Sequence, residues 1–224
     1  MEKSNSMNIY NLIILDESGS MSAIYDETLQ AVNEAFSGIR RNQEEFPEQR
    51  HYVSIVTFEG TGMSGVRTRR DRVPVGKIRD FTEKDYQPGG CTPLLDAMGR
   101  SLHDLESKVG ENDRVFATVI TDGYENSSQE YTGKTIKALV SRLRTKGWTF
   151  AYIGANQDAI EAASELNIDN ALNFESSPSG MSEMSGRYRR ASRRFACLCS
   201  EAAAPGSASF SELFEEDEEE QRNN

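Results

Sequence analysis

Five short apolar runs alternate with amphipathic helical stripes along most of this chain, and that alternation restricts the possible folds more than any other feature. The runs are YNLIILD (10–16), YVSIVTF (52–58), RVFATVITD (114–122), WTFAYIGA (148–155) and a weaker ALNF (171–174). They are apolar on both alternating sides, as strands covered on two faces must be. Trp148 and Tyr152 therefore read as core and flank of a strand.

Between the runs lie helical spacings: Leu29, Val32, Phe36 and Ile39; Leu94, Leu95, Met98, Leu102 and Leu105; Ile136, Leu139, Val140 and Leu143, stopped by Gly147. Thr92 is the expected N-cap of the second, with Pro93 at its first helical position. Asn156 is the expected cap of a short helix carrying Ile160, Ala163 and Leu166. Strand–helix alternation of this kind predicts an α/β fold, a doubly wound and mostly parallel sheet with helices on both faces.

One connection departs from the rule. Only EGTGMSG separates Phe58 from Val66, too short for a crossover helix, so 66–70 is expected to form an antiparallel edge strand. GTGMSG matches G-x-G-x-x-G literally, but VRTRRDRVP follows, without the helix that a dinucleotide site requires. The glycines read as hairpin residues. The long irregular segment after it, up to Gly90, has the length of a functional loop.

The ends differ from the body. The last fourteen residues sum to −6 of the total −11, so 200–224 is expected to be an acidic, disordered tail, with Phe210, Leu213 and Phe214 as a candidate docking motif. Residues 1–6 read as a disordered N-terminus, leaving 7–199 as one domain. Met181, Met184, Tyr188, Ala191, Phe195 and Leu198 form the stripe of a last helix. Its other faces carry Arg187, Arg189, Arg190, Arg193 and Arg194, which read as solvated or as a dock for acidic chain. The acidic balance argues against a nucleic-acid partner. No run approaches the ~20 apolar residues of a membrane span, and no signal peptide is evident, so the expected location is cytoplasmic. Cys91, Cys197 and Cys199 read as free thiols, and His51 and His103 as isolated surface or strand-end residues.

Chemistry concentrates where strands end. Asp16 closes the first strand and Asp122 the third run, while Ser18, Ser20 and Thr92 fall on loops at the same end. Two carboxylates and three hydroxyls, with neither histidine nor thiol, form an oxygen set suited to magnesium, with manganese or calcium as alternatives.

DESGSM, the threonine of GGCTPLLDA and the aspartate of ITDGYENSS resemble the metal-ion-dependent adhesion site of von Willebrand factor type A domains. The resemblance covers roughly residues 7–175 and extends to the last helix. It implies that Ser18, Ser20 and Thr92 bind the metal directly and that Asp16 and Asp122 bind it directly or through water. It further implies a non-enzymatic module whose cation accepts a Glu or Asp of a partner protein, and similarity to bacterial cytosolic members. Glu17, expected to face solvent, and Glu59, Asp85, Tyr86, Glu125 and Asn126 are the expected partner-binding rim. Two alternatives remain: a magnesium-dependent phosphohydrolase of the haloacid dehalogenase type, and an assembly component with a purely structural metal. The first lacks a second acid at Ser18 and has Asp122-Gly123 where it needs paired acids.

Overall fold

A computed structural model describes residues 6–60, 62–155, 159–202 and 210–215. Its elements in chain order are β1 (Met7–Asp16), α1 (Tyr25–Glu45), β2 (Gln49–Phe58), β3 (Val66–Pro74), α2 (Leu94–Glu106), β4 (Arg114–Thr121), α3 (Gly133–Arg144), β5 (Trp148–Ala155), α4 (Ala159–Glu165), β6 (Asn170–Phe174) and α5 (Pro178–Glu201).

The six strands form one sheet in the order β3-β2-β1-β4-β5-β6. Every pair is parallel except β2–β3. This is the mostly parallel, doubly wound sheet that the strand–helix alternation predicts. The chain winds outward from β1 to β2 and β3, then returns across β1 to β4, so the carboxyl ends of β1 and β4 lie side by side at the reversal.

The side chains explain which helix covers which face. Ile9, Ile13 and Leu15 of β1 pack with Val32, Phe36 and Ile39 of α1 and with Met184, Tyr188 and Phe195 of α5. Leu12 and Ile14, one step out of phase, pack with Leu94, Met98 and Leu102 of α2 and the Ile136–Leu143 stripe of α3. Period two in the strand thus divides the core between two helical layers. Among the described residues, no helix is long and apolar enough to cross a membrane.

Several expectations need correction. The edge strand runs to Pro74, four residues past the expected 70, with register shifts opposite Val53–Val56. α2 starts at Leu94, with Pro93 at the cap, one residue later than its sequence suggests. In α4, Ile160 is 62% exposed, because a seven-residue helix has one inward face and Ala159 and Ala163 fill it. Asn156, its expected cap, lies outside the described residues, as do 1–5 of the N-terminus and 203–209 and 216–224 of the tail.

The tail expectation fails for 210–215: Leu213 and Phe214 are buried against the α5 face of the sheet, and Phe210 packs partly there. α5 also extends beyond 199 to Glu201.

His51 is fully buried on β2, not at a surface. Its Nε2 lies 2.9 Å from Gln49 Oε1, and its Nδ1 3.4 Å from the Asn11 amide. That pairing suits the neutral ring with the proton on Nε2. Burial pushes its pKa down to about 4 from the usual 6.5. The unfolded chain takes up a proton below pH 6.5 that the folded ring refuses until about 4, so stability falls across that window as pH drops. The loss at pH 5 is expected to be about 2 kcal/mol. Urea unfolding of His51→Gln at pH 7 and pH 5 checks it, since this share of the pH dependence should vanish.

Candidate metal centre

β1 ends at Asp16, its last six residues all buried, and the chain turns at once through Glu17–Ser20. The turn is held locally: the Ser18 amide donates to Asp16 Oδ1 at 2.7 Å, and Ser18 Oγ lies 3.2 Å from Ser20 Oγ. Ser20 Oγ donates to Asp122 Oδ1 at 2.5 Å, joining this turn to the end of β4. Asp122 sits one residue beyond β4. The Thr121 hydroxyl donates to Asp16 Oδ2 at 2.5 Å.

Thr92 arrives from the long segment after β3. Its neighbour Gly90 has a positive φ of 64°, and a side chain there would begin 2.8 Å from the Gly60 backbone nitrogen. Only glycine lets this loop pass so close, between the β1 and β2 loops. The Gly19 amide donates to the Gly90 carbonyl and the Gly60 amide to the Cys91 carbonyl, fixing the approach.

The convergence can be measured at Gly123. The point where a side chain would begin there is 3.5 Å from Thr92 Oγ1, 3.7 Å from Ser20 Oγ and 4.0 Å from Asp16 Oδ2. Asp16, Ser18, Ser20, Thr92 and Asp122, from three separated segments, therefore line one crevice at the β1–β4 switch.

Asp16 is fully buried and Asp122 nearly so. Burial pushes the Asp16 pKa up to about 6, against the hydrogen bonds of Thr121 and Ser18; it also raises that of Asp122. Among the described residues, neither carboxylate has a Lys or Arg within ion-pair distance. No cluster of three His, Cys, Asp or Glu side chains suited to a metal occurs among them either. The crevice supplies two acids, and the rest of its oxygens are hydroxyls. Two desolvated acids without a basic partner are costly unless a cation joins them. The residues therefore fit a hard divalent ion.

Glu17 supplies the contrast, and corrects the expectation that it faces solvent. It too is fully buried, but Arg69 reaches its two oxygens at 2.9 and 2.7 Å and the Gln87 amide donates to it at 2.5 Å. Its carboxylate ties β3 and the following segment to the β1 turn, away from any partner.

The rest of the expected rim divides. Tyr86 is fully buried; its hydroxyl donates to the Asp16 carbonyl at 2.8 Å and its ring stacks on Tyr25. Arg70 forks onto Asp85 at 2.8 and 3.0 Å and holds its pKa below the usual range. Glu125 accepts from the amides of Leu95, Ser127 and Ser128, capping α2. Asn126 brackets Thr92: its Oδ1 accepts from the Thr92 amide at 2.8 Å, and its own amide donates to the Thr92 carbonyl at 3.2 Å. Glu59 is half-buried and pairs with Arg67 at 2.6 Å.

Two further neighbours of the crevice carry little signal in the sequence. Thr121 is hidden inside an apolar strand. Tyr124, 65% exposed two residues after Asp122, is marked only by an aromatic ring in a polar loop.

Solved structures share this fold at low identity. A mussel byssus protein, proximal thread matrix protein 1, matches at 16% identity and TM-score 0.55, over 86% of this chain and 47% of its own. A second structure of that protein, described with a zinc-occupied MIDAS motif, matches at 16% identity and TM-score 0.56, over 87% of this chain and 46% of its own. This chain thus spans less than half the length of the mussel protein. The SpRpn10 VWA domain matches at 14% identity and TM-score 0.54, over 80% of this chain and 94% of its own. The pilus adhesin SpaC from Lactobacillus rhamnosus GG, in an open conformation, matches at 11% identity and TM-score 0.65, over 85% of this chain and 30% of its own. No curated protein matches the sequence. The von Willebrand factor type A domain model matches residues 12–184, well over half of the sequence, and the chain belongs to that family of metal-dependent protein-interaction modules.

Proposed function

We propose that this protein is a metal-dependent binding module whose crevice holds a divalent cation, magnesium first, and presents it to a Glu or Asp side chain of a partner protein. Ser18, Ser20 and Thr92 would hold the ion through neutral hydroxyls, with Asp16 and Asp122 supplying charge directly or through water. The observation that carries the reading is the pair of buried carboxylates in one crevice with hydroxyl neighbours and, among the described residues, no basic counter-charge. Neutral donors leave the ion electrophilic, and that is the chemistry it contributes: attraction for an external carboxylate. This chain's own residues orient it. Asn126 sets the Thr92 backbone, Thr121 and the Ser18 amide fix the Asp16 carboxylate, and Tyr86 holds the Asp16 carbonyl from below. Exposed Tyr124, with Glu59 and Asn126, would meet the partner's surface around that carboxylate.

Titration calorimetry with magnesium, together with partner capture in magnesium or EDTA, tests the reading. Asp122→Ala is expected to lose both signals; capture that persists in EDTA would sink it. Asn126→Ala removes the side-chain acceptor of the Thr92 amide while leaving the backbone path intact. A supporting residue of this kind typically contributes 10–100-fold in metal affinity. The expected outcome is roughly tenfold weaker magnesium binding, with stability lowered by about 1–2 kcal/mol because the buried Thr92 amide loses its acceptor.

A further inference from the structure

The buried part of the tail is recognised in a way that a merely collapsed segment would not be. Asn170, at the start of β6 and nearly fully buried, donates to the Phe210 carbonyl at 2.9 Å and accepts from the Leu213 amide at 2.9 Å. The same amide group is anchored to the sheet through the Phe150 carbonyl at 2.8 Å. The Phe210 amide donates to Thr149 Oγ1 at 3.0 Å. From α5, Arg187 donates to the Phe214 carbonyl at 3.1 Å, and Arg194 to the carbonyls of Glu212 and Glu215 at 3.0 and 3.2 Å.

Side chains give the sequence preference. Leu213 is 2% and Phe214 8% exposed, and Phe210 meets Phe195 edge-on at 5.8 Å between ring centres. Fixed side chains reading backbone groups give a peptide groove affinity, and the burial of particular apolar side chains gives it specificity. An open cleft of about 740 Å³ remains alongside, between Phe214 and exposed Ile160 of α4.

We propose that the groove between α5 and the β5–β6 side of the sheet is a peptide-docking site, that 210–215 fills it in cis, and that it takes the same segment from a second copy of this chain. Three observations favour that occupant. The bound sequence is the one whose backbone and side chains the groove already fits. The acids that follow it, through Glu220, complement the arginine-rich α5. Only seven residues, 203–209, separate Ala202 from Phe210, so cis and trans docking differ in linker closure and not in contacts made. A linker of this length gives an effective concentration on the order of millimolar, so cis docking dominates in dilute solution. Exchange requires crowding of copies or a weakened cis segment. The proposal stands independently of the metal reading, because no residue of the crevice takes part.

The test uses a fluorescein-labelled peptide of residues 209–217 and full-length acceptors, read by fluorescence anisotropy. Wild type should bind it weakly. A full-length F210A/L213A/F214A variant, with its own segment disabled, should bind at least tenfold more tightly, and a peptide carrying L213A should not bind. Circular dichroism confirms the fold of each acceptor. The single variant Leu213→Ala serves as a second acceptor should the triple variant lose its fold. Equal binding to wild type and variants, no saturable binding to any folded acceptor, or undiminished binding of the L213A peptide would each overturn the proposal. EDTA should leave the binding unchanged, which separates it from the metal crevice.

Discussion

Replacing Asp16 by Asn is expected to make the metal-free protein more stable and to abolish its stabilisation by magnesium. The carboxylate is fully buried, and its pKa is pushed up to about 6 although two hydrogen bonds favour the charge. A carboxyl raised in the folded state opposes folding wherever it is ionised, in full above about pH 6. Asn has nearly the same shape, keeps an acceptor for the Ser18 amide and carries no charge. A rise from the ordinary 3.8 to about 6 is equivalent to at most about 3 kcal/mol, so a gain of about 1–3 kcal/mol at pH 7.5 in EDTA is expected. Saturating magnesium closes most of that gap or reverses it, because only wild type gains from binding, about 2.7 kcal/mol at a hundredfold excess over Kd. Urea unfolding of both proteins in EDTA and in magnesium measures all four values. Equal gains in magnesium would remove Asp16 from the ion's surroundings. A magnesium gain without any metal-dependent capture would favour a structural ion instead.

Glu17→Ala should produce the opposite pattern, a large loss of stability regardless of metal. Its carboxylate neutralises Arg69, lies 3.9 Å from Arg67 and satisfies the Gln87 amide. Removing one member of a buried pair strands the other, typically at a cost of 3–5 kcal/mol. Arg69 keeps some solvent contact, which places the expected loss at about 2–4 kcal/mol. A solvent-facing acid would cost less than about 0.5 kcal/mol. Denaturation midpoints separate these outcomes, and a loss below about 1 kcal/mol would show that Glu17 is not the strut its contacts describe.

The convergence of these five residues is legible in the sequence because each segment carries its own local signal at a strand end or helix start. Asp16, Ser18 and Ser20 lie on one turn, and strand order alone brings Asp122 beside them. Thr92 is legible from the Thr-Pro pair that precedes α2, although the cap itself falls on Pro93. Glu17 is not, because its partner Arg69 is distant in sequence and paired only through the β2–β3 hairpin. Tyr86 has the composition of a surface loop, and nothing local reveals that its ring fills the space beneath Asp16. The sequence of β2 alternates around His51 without marking it as inward. The docked tail is legible only in part: Phe210, Leu213 and Phe214 stand out as a docking motif, but Asn170, Arg187 and Arg194 bind carbonyls and amides, which every sequence possesses, so nothing local marks where the motif docks.

The arginines of β3 carry a last consequence. Arg67, Arg69, Arg70 and Arg72 make this margin look basic, yet each is matched by an acid of the same chain. The strand is irregular opposite Val53–Val56, and Arg72 takes a left-handed backbone with φ of 47°. A foreign strand laid along it would have to follow that kink and crowd long, already engaged side chains. The margin is thus poorly suited to templating fibrils or receiving an extended ligand.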